Sequence, residues 1–156
     1  MKIIFLDFNG VLDTYENMDI INKDNLIRLK TIVDETDSKV VISSSLKNSY
    51  YITGHLSKKL LNIIKEIKNI VIDVIGITPC DDTRENEIQL YLNNHPNIEN
   101  FCILDDDYDM DSFRDNLVKL PLQSKDHPNG LEDKHVSLAI HILNEQLHKQ
   151  KTKSLK

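Results

Sequence analysis

The chain has little cysteine, no long apolar run and no stretch rich in proline, glycine or serine. Its two cysteines, Cys80 and Cys102, are too few for a disulfide framework, so a reducing compartment, the cytosol, is expected. Cys102 lies in an apolar run and is interpreted as a small buried hydrophobic residue. No segment has the ~18 apolar residues that span a bilayer, and the apolar start reaches Asp7 too early for a signal peptide. We therefore expect no association with a membrane.

The composition predicts one domain with an ordinary hydrophobic core. The 156 residues are 40% hydrophobic and 28% charged, and no internal repeat or linker divides them. A net charge of −6 argues against a broad nucleic-acid-binding surface. We predict a single domain over residues 1–148 without a sizeable cap, followed by a basic, flexible tail over residues 149–156.

Five short apolar runs predict the strands of a mainly parallel sheet. They are rich in Ile and Val and lack strict alternation, as expected for strands that are buried on both faces. Because helical segments alternate with them, the predicted fold is a three-layer α/β/α sandwich with a Rossmann-like sheet. The runs are Ile3–Leu6, Lys39–Ile42, Ile70–Ile75, Phe101–Leu104 and Leu117–Leu120.

Apolar stripes at helical spacing predict four helices. Ser57 is the predicted N-cap of the second helix, and Asp82 with Glu85 resembles a capping box at the start of the third. The fourth follows a Pro-Asn-Gly turn signal. The stripes lie at Leu26 to Val33, Leu56 to Ile67, Ile88 to Leu92 and about Glu132 to Leu147.

Polar residues follow the first predicted strand at the end where parallel sheets bind ligands. The strand leads directly into Asp7-Phe8-Asn9-Gly10, which places a carboxylate at its tip. Gly10 permits a tight turn and the close approach of a ligand. Asp7 is therefore a candidate nucleophile or metal ligand. Taken alone, a polar turn that closes a strand explains the same residues.

Three consecutive carboxylates, residues 105 to 107, follow the fourth predicted strand. Like charges this close repel one another, so a divalent cation is their natural compensation. If strands one and four are neighbours, Asp7, Asp105 and Asp106 converge on one point and supply the hard oxygen ligands that magnesium prefers. A solvated acidic loop is the alternative explanation.

Candidate phosphate-binding groups lie at two other places in the chain. The second strand leads into Ser43-Ser44-Ser45-Leu46-Lys47, where hydroxyl groups and backbone amides at a strand tip can hold a phosphate oxygen. Arg84 begins the helix before strand four, and its cation could neutralise a phosphate or orient Asp7. Serines at strand ends are also common turn residues, and a lone arginine in a first helical turn is usually solvated.

Together these sites resemble the four ordered motifs of the haloacid dehalogenase (HAD) superfamily. The chain is most similar to one subgroup, the phosphatase-like HAD domain of Swiss Army Knife RNA repair proteins. That similarity rests on Val-Ile-Ser-Ser-Ser-Leu-Lys, on Arg84-x-x-Glu87-Ile88 and on Gly130-Leu131. The segments that resemble the four motifs are Asp7-Phe8-Asn9-Gly10-Val11-Leu12, Val41-Ile42-Ser43-Ser44, Arg84, and Ile103-Leu104-Asp105-Asp106.

The resemblance implies a Mg²⁺-dependent phosphohydrolase that acts on a phosphate monoester. Asp7 would attack phosphorus and form an aspartyl-phosphate, while Ser43 and Arg84 would hold the transferring group. The short segments between motifs imply an open site, which admits large substrates such as a nucleic-acid end or a phosphoprotein. The expected partner is a phosphorylated substrate, either a small molecule or a nucleic-acid end. The implied catalytic residues are Asp7, Asn9, Ser43 and Arg84, the metal ligands are Asp7, Asn9, Asp105 and Asp106, and the substrate contacts are Gly10, Ser44 and Lys47.

Asn9 departs from the resemblance, because the superfamily usually has an aspartate there that acts as general acid and base. An amide cannot do this work, and its absence typically lowers the rate by about 10²–10⁴-fold. The backbone carbonyl of Asn9 could still bind magnesium, and Asp13 is a nearby candidate substitute. The sequence leaves three explanations open: an engineered trapping mutant, a weakened or redirected enzyme, and a non-catalytic module that binds magnesium and phosphate.

Two other kinds of α/β protein fit the pattern poorly. A response-regulator receiver has its acidic pair after strand one and its phospho-acceptor after strand three, whereas here the pair follows strand four. A dinucleotide-binding fold would have Gly-x-Gly-x-x-Gly after strand one, and that motif does not occur there.

Overall fold

Five strands and five α-helices alternate along most of the chain. The computed structural model describes residues 1–106 and 110–154, the last nine of these by their backbone alone. Two short 3₁₀ helices, Ser45–Lys47 and Asp111–Phe113, join the longer elements. In chain order the elements are β1 (Lys2–Leu6), α1 (Lys23–Thr36), β2 (Ser38–Ile42), α2 (Asn48–Thr53), α3 (Lys58–Asn69), β3 (Val74–Ile77), α4 (Arg84–Asn94), β4 (Asn100–Asp105), β5 (Leu117–Lys119) and α5 (Asp133–Ser154).

The strands form one parallel sheet in the order β3-β2-β1-β4-β5. β1 is central and pairs with both β2 and β4, so that Leu6 lies opposite Ile42 on one side and Leu104 on the other. The strand order reverses at β1, which is where ligands bind in open α/β sheets. The predicted five-stranded parallel fold is confirmed.

The two faces of the sheet carry separate hydrophobic cores. Successive side chains of a strand point to opposite faces, so Ile4 joins the core beneath α1, α3 and α5, whereas Phe5 joins the core beneath α4. Right-handed crossovers explain this division, because the chain moves one way from β1 to β3 and then returns across the sheet to β4. The return places α4 on the second face, with Arg84 at its start.

The third strand lies further along the chain than its apolar run indicated. We predicted Ile70–Ile75, but β3 spans Val74–Ile77. Ile70 is the C-cap of α3, and Val71 has a φ of +64°, which no strand residue adopts. Ile72 is buried in the connecting segment. The run was wrong as a strand because its first residues leave a helix and pack on the core.

The helices also differ from the prediction in detail. α4 is capped by Thr83, whose side chain accepts a hydrogen bond from the backbone nitrogen of Asn86, and not by Asp82. Ser57 is the N-cap of α3, as predicted. The short helix α2 was not predicted. α5 continues to Ser154, past the predicted end near Leu147, through a segment without glycine or proline.

The predicted basic tail over residues 149–156 overlaps the end of α5, and its side chains lie outside the described residues. Cys80 is exposed and Cys102 is buried, and neither forms a disulfide. None of the helices in residues 1–106 and 110–154 combines the length and apolar composition needed to cross a bilayer.

Candidate functional site

Three neighbouring strands end side by side and present their next residues at one edge of the sheet. The backbone nitrogen of Asp7 donates to the carbonyl of Leu104 at 3.1 Å, and that of Ser43 donates to the carbonyl of Leu6 at 2.8 Å. The parallel ladder therefore continues one residue past β1 and β2. This register brings Asp7, Ser43 and Asp105 to the same place, although they are far apart in the sequence.

Three of the predicted metal ligands form one cluster. Carboxylate oxygens of Asp7, Asp105 and Asp106 all lie within 4.8 Å of one another. Burial, together with the neighbouring charge of Asp105, raises the pKa of Asp7 to about 8, although Arg84 opposes the shift. Asp7 therefore resists ionisation in the absence of a cation. A divalent cation would remove this resistance, and hard carboxylate oxygens are suitable ligands for one.

Gly10 is required at the edge of this cluster for two reasons. Its φ of +82° lies in the left-handed region, where a side chain is strained. A β-carbon at this position would also overlap with the carboxylate of Asp106. The glycine thus lets the first loop pass directly against the acidic cluster. Its predicted role as a substrate contact remains a prediction.

Arg84 reaches from the first turn of α4 into the cluster. Its Nη1 donates to Asp105 Oδ2 at 2.9 Å and to the backbone carbonyl of Ser43, and it lies 3.6 Å from Asp7 Oδ1. The structure therefore brings the predicted motif-three cation together with the carboxylates of the first and fourth motifs. A guanidinium in this position can stabilise negative charge that develops beside Asp7.

The two predicted serines have different surroundings. Ser43 is fully buried, and its hydroxyl has no hydrogen-bond partner among the residues that the structure describes. A buried polar atom without a partner is uncommon, and it fits a group that bonds to a bound ligand. Ser44 instead caps the 3₁₀ helix, since its hydroxyl accepts from the backbone nitrogen of Leu46 at 3.2 Å.

Lys47, predicted to contact substrate, is instead completely buried. Its ammonium group donates to Glu87 Oε1 at 2.8 Å and to Thr78 Oγ1 at 2.9 Å. Glu87 Oε1 also lies 3.5 Å from Arg84 Nε. Glu87 was visible in the sequence only as part of the Arg84-x-x-Glu87-Ile88 pattern, and nothing there indicated that it would pair with Lys47.

The side-chain amide of Asn9 is bonded to two carboxylates. Its Nδ2 donates to Asp13 Oδ2 at 2.9 Å and to Asp19 Oδ1 at 2.7 Å. Asp19 also pairs with Lys59 Nζ at 2.6 Å, and its φ of +71° is unusual for a residue with a side chain. Hydrogen bonds from Lys59 and Asn9 lower the pKa of Asp19. The amide of Asn9 thus links two later residues of the loop between β1 and α1 to the start of that loop.

The carboxylate of Asp13 stabilises this loop by accepting three hydrogen bonds. It is fully buried, its Oδ1 accepts from the backbone nitrogen of Gly10 at 2.7 Å, and its Oδ2 accepts from that of Asp19 at 2.9 Å as well as from Asn9. The proposal that Asp13 replaces the missing acid therefore does not fit this arrangement. No feature of the sequence distinguished a loop-holding aspartate from a catalytic one.

Comparison with known protein families gives a match over most of the chain. The model of a protein family described as "HAD domain in Swiss Army Knife RNA repair proteins" matches residues 3–136, most of the chain. No curated protein and no solved structure matches the chain. The matched region contains every residue of the candidate site.

Proposed function

Because the chain belongs to the family of HAD domains in Swiss Army Knife RNA repair proteins, we propose that it is a Mg²⁺-dependent phosphohydrolase acting on a phosphate monoester. The HAD family supports a phosphohydrolase type of function in general. The dependence on Mg²⁺, the part played by Asp7 and the choice of substrate are our proposals.

The convergence of Asp7, Ser43 and Arg84 carries this proposal. A carboxylate, a guanidinium and a buried hydroxyl that has no partner among the described residues lie where three strands end. Phosphoryl transfer requires a nucleophile, donors for the equatorial oxygens and positive charge, all held in position before the substrate arrives. These three side chains supply one of each.

Asp7 is the proposed nucleophile. One of its carboxylate oxygens forms a bond to phosphorus, and the bond between phosphorus and the leaving oxygen breaks, which gives an aspartyl-phosphate. Ser43 Oγ donates to a phosphoryl oxygen, and Arg84 Nη1 balances its charge. Water then attacks phosphorus, and inorganic phosphate and Asp7 are released. Since the amide of Asn9 cannot donate a proton as an acid, the leaving oxygen takes its proton from water.

Asp7, Asp105 and Asp106 are the proposed ligands of Mg²⁺, together with the backbone carbonyl of Asn9. When bound, the ion neutralises the charge of the phosphoryl group and keeps Asp7 ionised at neutral pH. The fit rests on the raised pKa of Asp7 and on the close approach of the three carboxylates.

A phosphorylated RNA end is the proposed substrate class, with a small phosphorylated molecule as the alternative. The family description refers to RNA repair proteins. Two partly exposed aromatic side chains lie on α2: Tyr50 packs edge-on against Tyr51, whose hydroxyl donates to the carbonyl of Thr78. An exposed tyrosine can stack on a base, although such residues more often pack within the protein. A terminal phosphate needs only local contacts, so the net charge of −6 does not oppose this substrate.

A non-catalytic module that binds magnesium and phosphate is a second candidate, and Asn9 favours it. The amide is bonded to Asp13 and Asp19, so it takes part in the fold and does not resemble an isolated defect. In such a module the acidic cluster and Ser43 would hold the same groups without turnover.

Phosphate release separates these two functions. RNA oligonucleotides that carry a 5′- or a 3′-phosphate, and an aryl phosphate, are incubated with the protein and Mg²⁺, beside an Asp7→Asn control. If the protein is a phosphohydrolase, we expect release of phosphate that depends on Mg²⁺, stops with EDTA and is absent in the control. Saturable binding of inorganic phosphate with Mg²⁺, without release from any substrate, identifies the binding module. Absence of both binding and release contradicts the site itself.

A further inference from the structure

A buried pair of opposite charges lies behind the candidate site. Lys47 has no exposed surface, and its ammonium is held between Glu87 Oε1 at 2.8 Å and Thr78 Oγ1 at 2.9 Å. Thr78 Oγ1 in turn donates to the carbonyl of Ile42, the last residue of β2. Burial lowers the pKa of Lys47, and the hydrogen bond that its ammonium donates to Glu87 opposes this. A charge so placed cannot touch a substrate in this conformation.

Glu87 is shared by two cations. Its Oε1 lies 2.8 Å from Lys47 Nζ and 3.5 Å from Arg84 Nε, while its Oε2 accepts from the backbone nitrogen of Asp81 at 3.1 Å. Without this carboxylate, Lys47 and Arg84 would face each other as like charges, and a buried unpaired charge is strongly unfavourable. Glu87 therefore sets both the charge balance and the geometry behind the site.

Arg84 is consequently held from two sides. Glu87, one helical turn along α4, lies near its Nε, and Asp105 and the carbonyl of Ser43 bind its Nη1. Because a guanidinium is planar and rigid, contacts at two of its nitrogens determine the orientation of the whole group. That orientation places Nη1 at 3.6 Å from Asp7 Oδ1.

We propose that Glu87, supported by Lys47, is a positioning residue that orients Arg84 towards the phosphoryl group, and that Lys47 is the counter-ion of Glu87 and not a substrate contact. This inference rests on the proposed function and deepens it. It replaces the substrate-contact role that the sequence predicted for Lys47.

Binding of inorganic phosphate in saturating Mg²⁺ tests the proposal by calorimetry. Glu87→Gln and Lys47→Met should each weaken phosphate binding about tenfold or more, because a small displacement of a positioned group has large effects. The affinity for Mg²⁺ alone should change much less, since the three carboxylates remain. Lys59→Met, which removes the exposed partner of Asp19, is the matched control and should leave both affinities unchanged.

Double substitutions separate positioning from direct contact. In an Arg84→Met background, Glu87→Gln and Lys47→Met should cause no further loss of phosphate affinity, because both act through Arg84. If Lys47→Met still weakens phosphate binding there as much as in the parent protein, Lys47 contacts the ligand and the proposal fails. The Lys47→Met/Glu87→Gln protein removes both buried charges and should recover thermal stability without recovering phosphate affinity.

A measurement without any ligand distinguishes failure of this proposal from failure of the proposed function. The chain has three arginines, so the Nε–H signal of Arg84 can be assigned by NMR with Arg84→Lys. It should be sharp and slow to exchange in the parent protein, and broad in Glu87→Gln but not in Lys59→Met. An unchanged signal in Glu87→Gln overturns the positioning role. A parent protein with an ordered Arg84 but no affinity for Mg²⁺ or phosphate overturns the proposed function alone.

Discussion

One group of acidic residues lies where β1 and β4 end and a second lies in the loop between β1 and α1, and their negative charges are balanced in opposite ways. The first, the acidic cluster, consists of Asp7, Asp105 and Asp106, whose oxygens lie within 4.8 Å of one another. The second, the loop cluster, consists of Asp13 and Asp19 with the amide of Asn9 between them. Both contain carboxylates close to like charges.

The difference lies in the hydrogen-bond donors. In the loop cluster, two backbone nitrogens, an amide and Lys59 donate to the carboxylates, and the pKa of Asp19 is lowered. In the acidic cluster, burial and neighbouring carboxylates outweigh Arg84, and the pKa of Asp7 is raised to about 8. Acidic residues therefore do not by themselves indicate a metal site. The balance between carboxylates and donors decides where a cation is needed.

The same substitution in the two clusters should have the most divergent effects. Asp7→Asn should abolish stabilisation by Mg²⁺ and lower any hydrolysis by about 10³-fold or more, because it removes the proposed metal ligand and nucleophile. It should also raise the melting temperature of the cation-free protein at pH 8, since the buried carboxyl resists ionisation. Asp19→Asn should keep cation binding and lower stability by about 1 kcal/mol or less.

Thermal melts of both variants, with Mg²⁺ and with EDTA, measure this contrast. If Asp19→Asn loses the response to Mg²⁺ while Asp7→Asn keeps it, the cation site has been assigned to the wrong cluster.

Two glycines with similar backbones provide the next test. Gly10→Ala should lower the free energy of unfolding by about 3 kcal/mol and weaken Mg²⁺ binding, because the new β-carbon collides with Asp106. Gly54→Ala has a similar φ of +78° but open space around it, and should cost only about 1 kcal/mol from backbone strain. Chemical denaturation measures both values. Equal effects would mean that backbone strain alone, and not the acidic cluster, requires Gly10.

Asn9→Asp gives the loop cluster three carboxylates, the same number as in the acidic cluster. We expect it to lower the free energy of unfolding by about 1–3 kcal/mol, because two donated hydrogen bonds are lost and a third carboxylate joins Asp13 and Asp19. Asn9→Ala loses the same bonds without adding charge. The two variants should therefore differ at pH 8 and converge near pH 4 in denaturation experiments.

The rate of hydrolysis is measured on the same Asn9→Asp protein. A gain of about 10²–10⁴-fold over the parent would show that position 9 supplies the acid and base once it carries a carboxyl group. A variant as stable as the parent at pH 8 would contradict the proposed role of the amide in the loop.

The last test of the comparison is the pH dependence of the acidic cluster. The carboxyl of Asp7 has an ordinary pKa of 3.8 when unfolded and about 8 when folded, so the folded chain holds the extra proton between these values. The stability of the cation-free protein should therefore fall as the pH rises through this window. Binding of Mg²⁺ displaces that proton, so its affinity should rise about tenfold per pH unit between about pH 5 and 8. Calorimetry at several pH values in EDTA-treated protein measures the slope, and a flat profile contradicts a protonated Asp7.

Much of the fold could be predicted from the sequence because its signals are local. Short Ile- and Val-rich runs identified four of the five strands, and a stripe with Ser57 before it identified α3 and its N-cap. The run at Ile70 failed because an apolar linker that packs on the core has the same composition as a buried strand. The helix α2 carries no apolar stripe and was missed, since none of its residues is buried.

The candidate site was predictable to the extent that it depends on strand ends. Asp7, Ser43 and Asp105 each follow an apolar run, and parallel strands align their ends. The roles of polar residues away from strand ends were not predictable. Lys47 was assigned to the substrate and Asp13 was considered as an acid, whereas both are buried in hydrogen bonds within the protein.

The sequence by itself determined which residues could carry chemistry, because a carboxylate directly after a buried strand has only one edge of a parallel sheet on which to lie. Only the tertiary structure decided which carboxylates meet donors and which meet one another. That choice depends on the order of the strands and on the crossover that brings α4, with Arg84 and Glu87, to the other face of the sheet. The energies of charged groups vary steeply with distance and burial, so residues of the same type became a candidate cation site in one place and a loop anchor in the other.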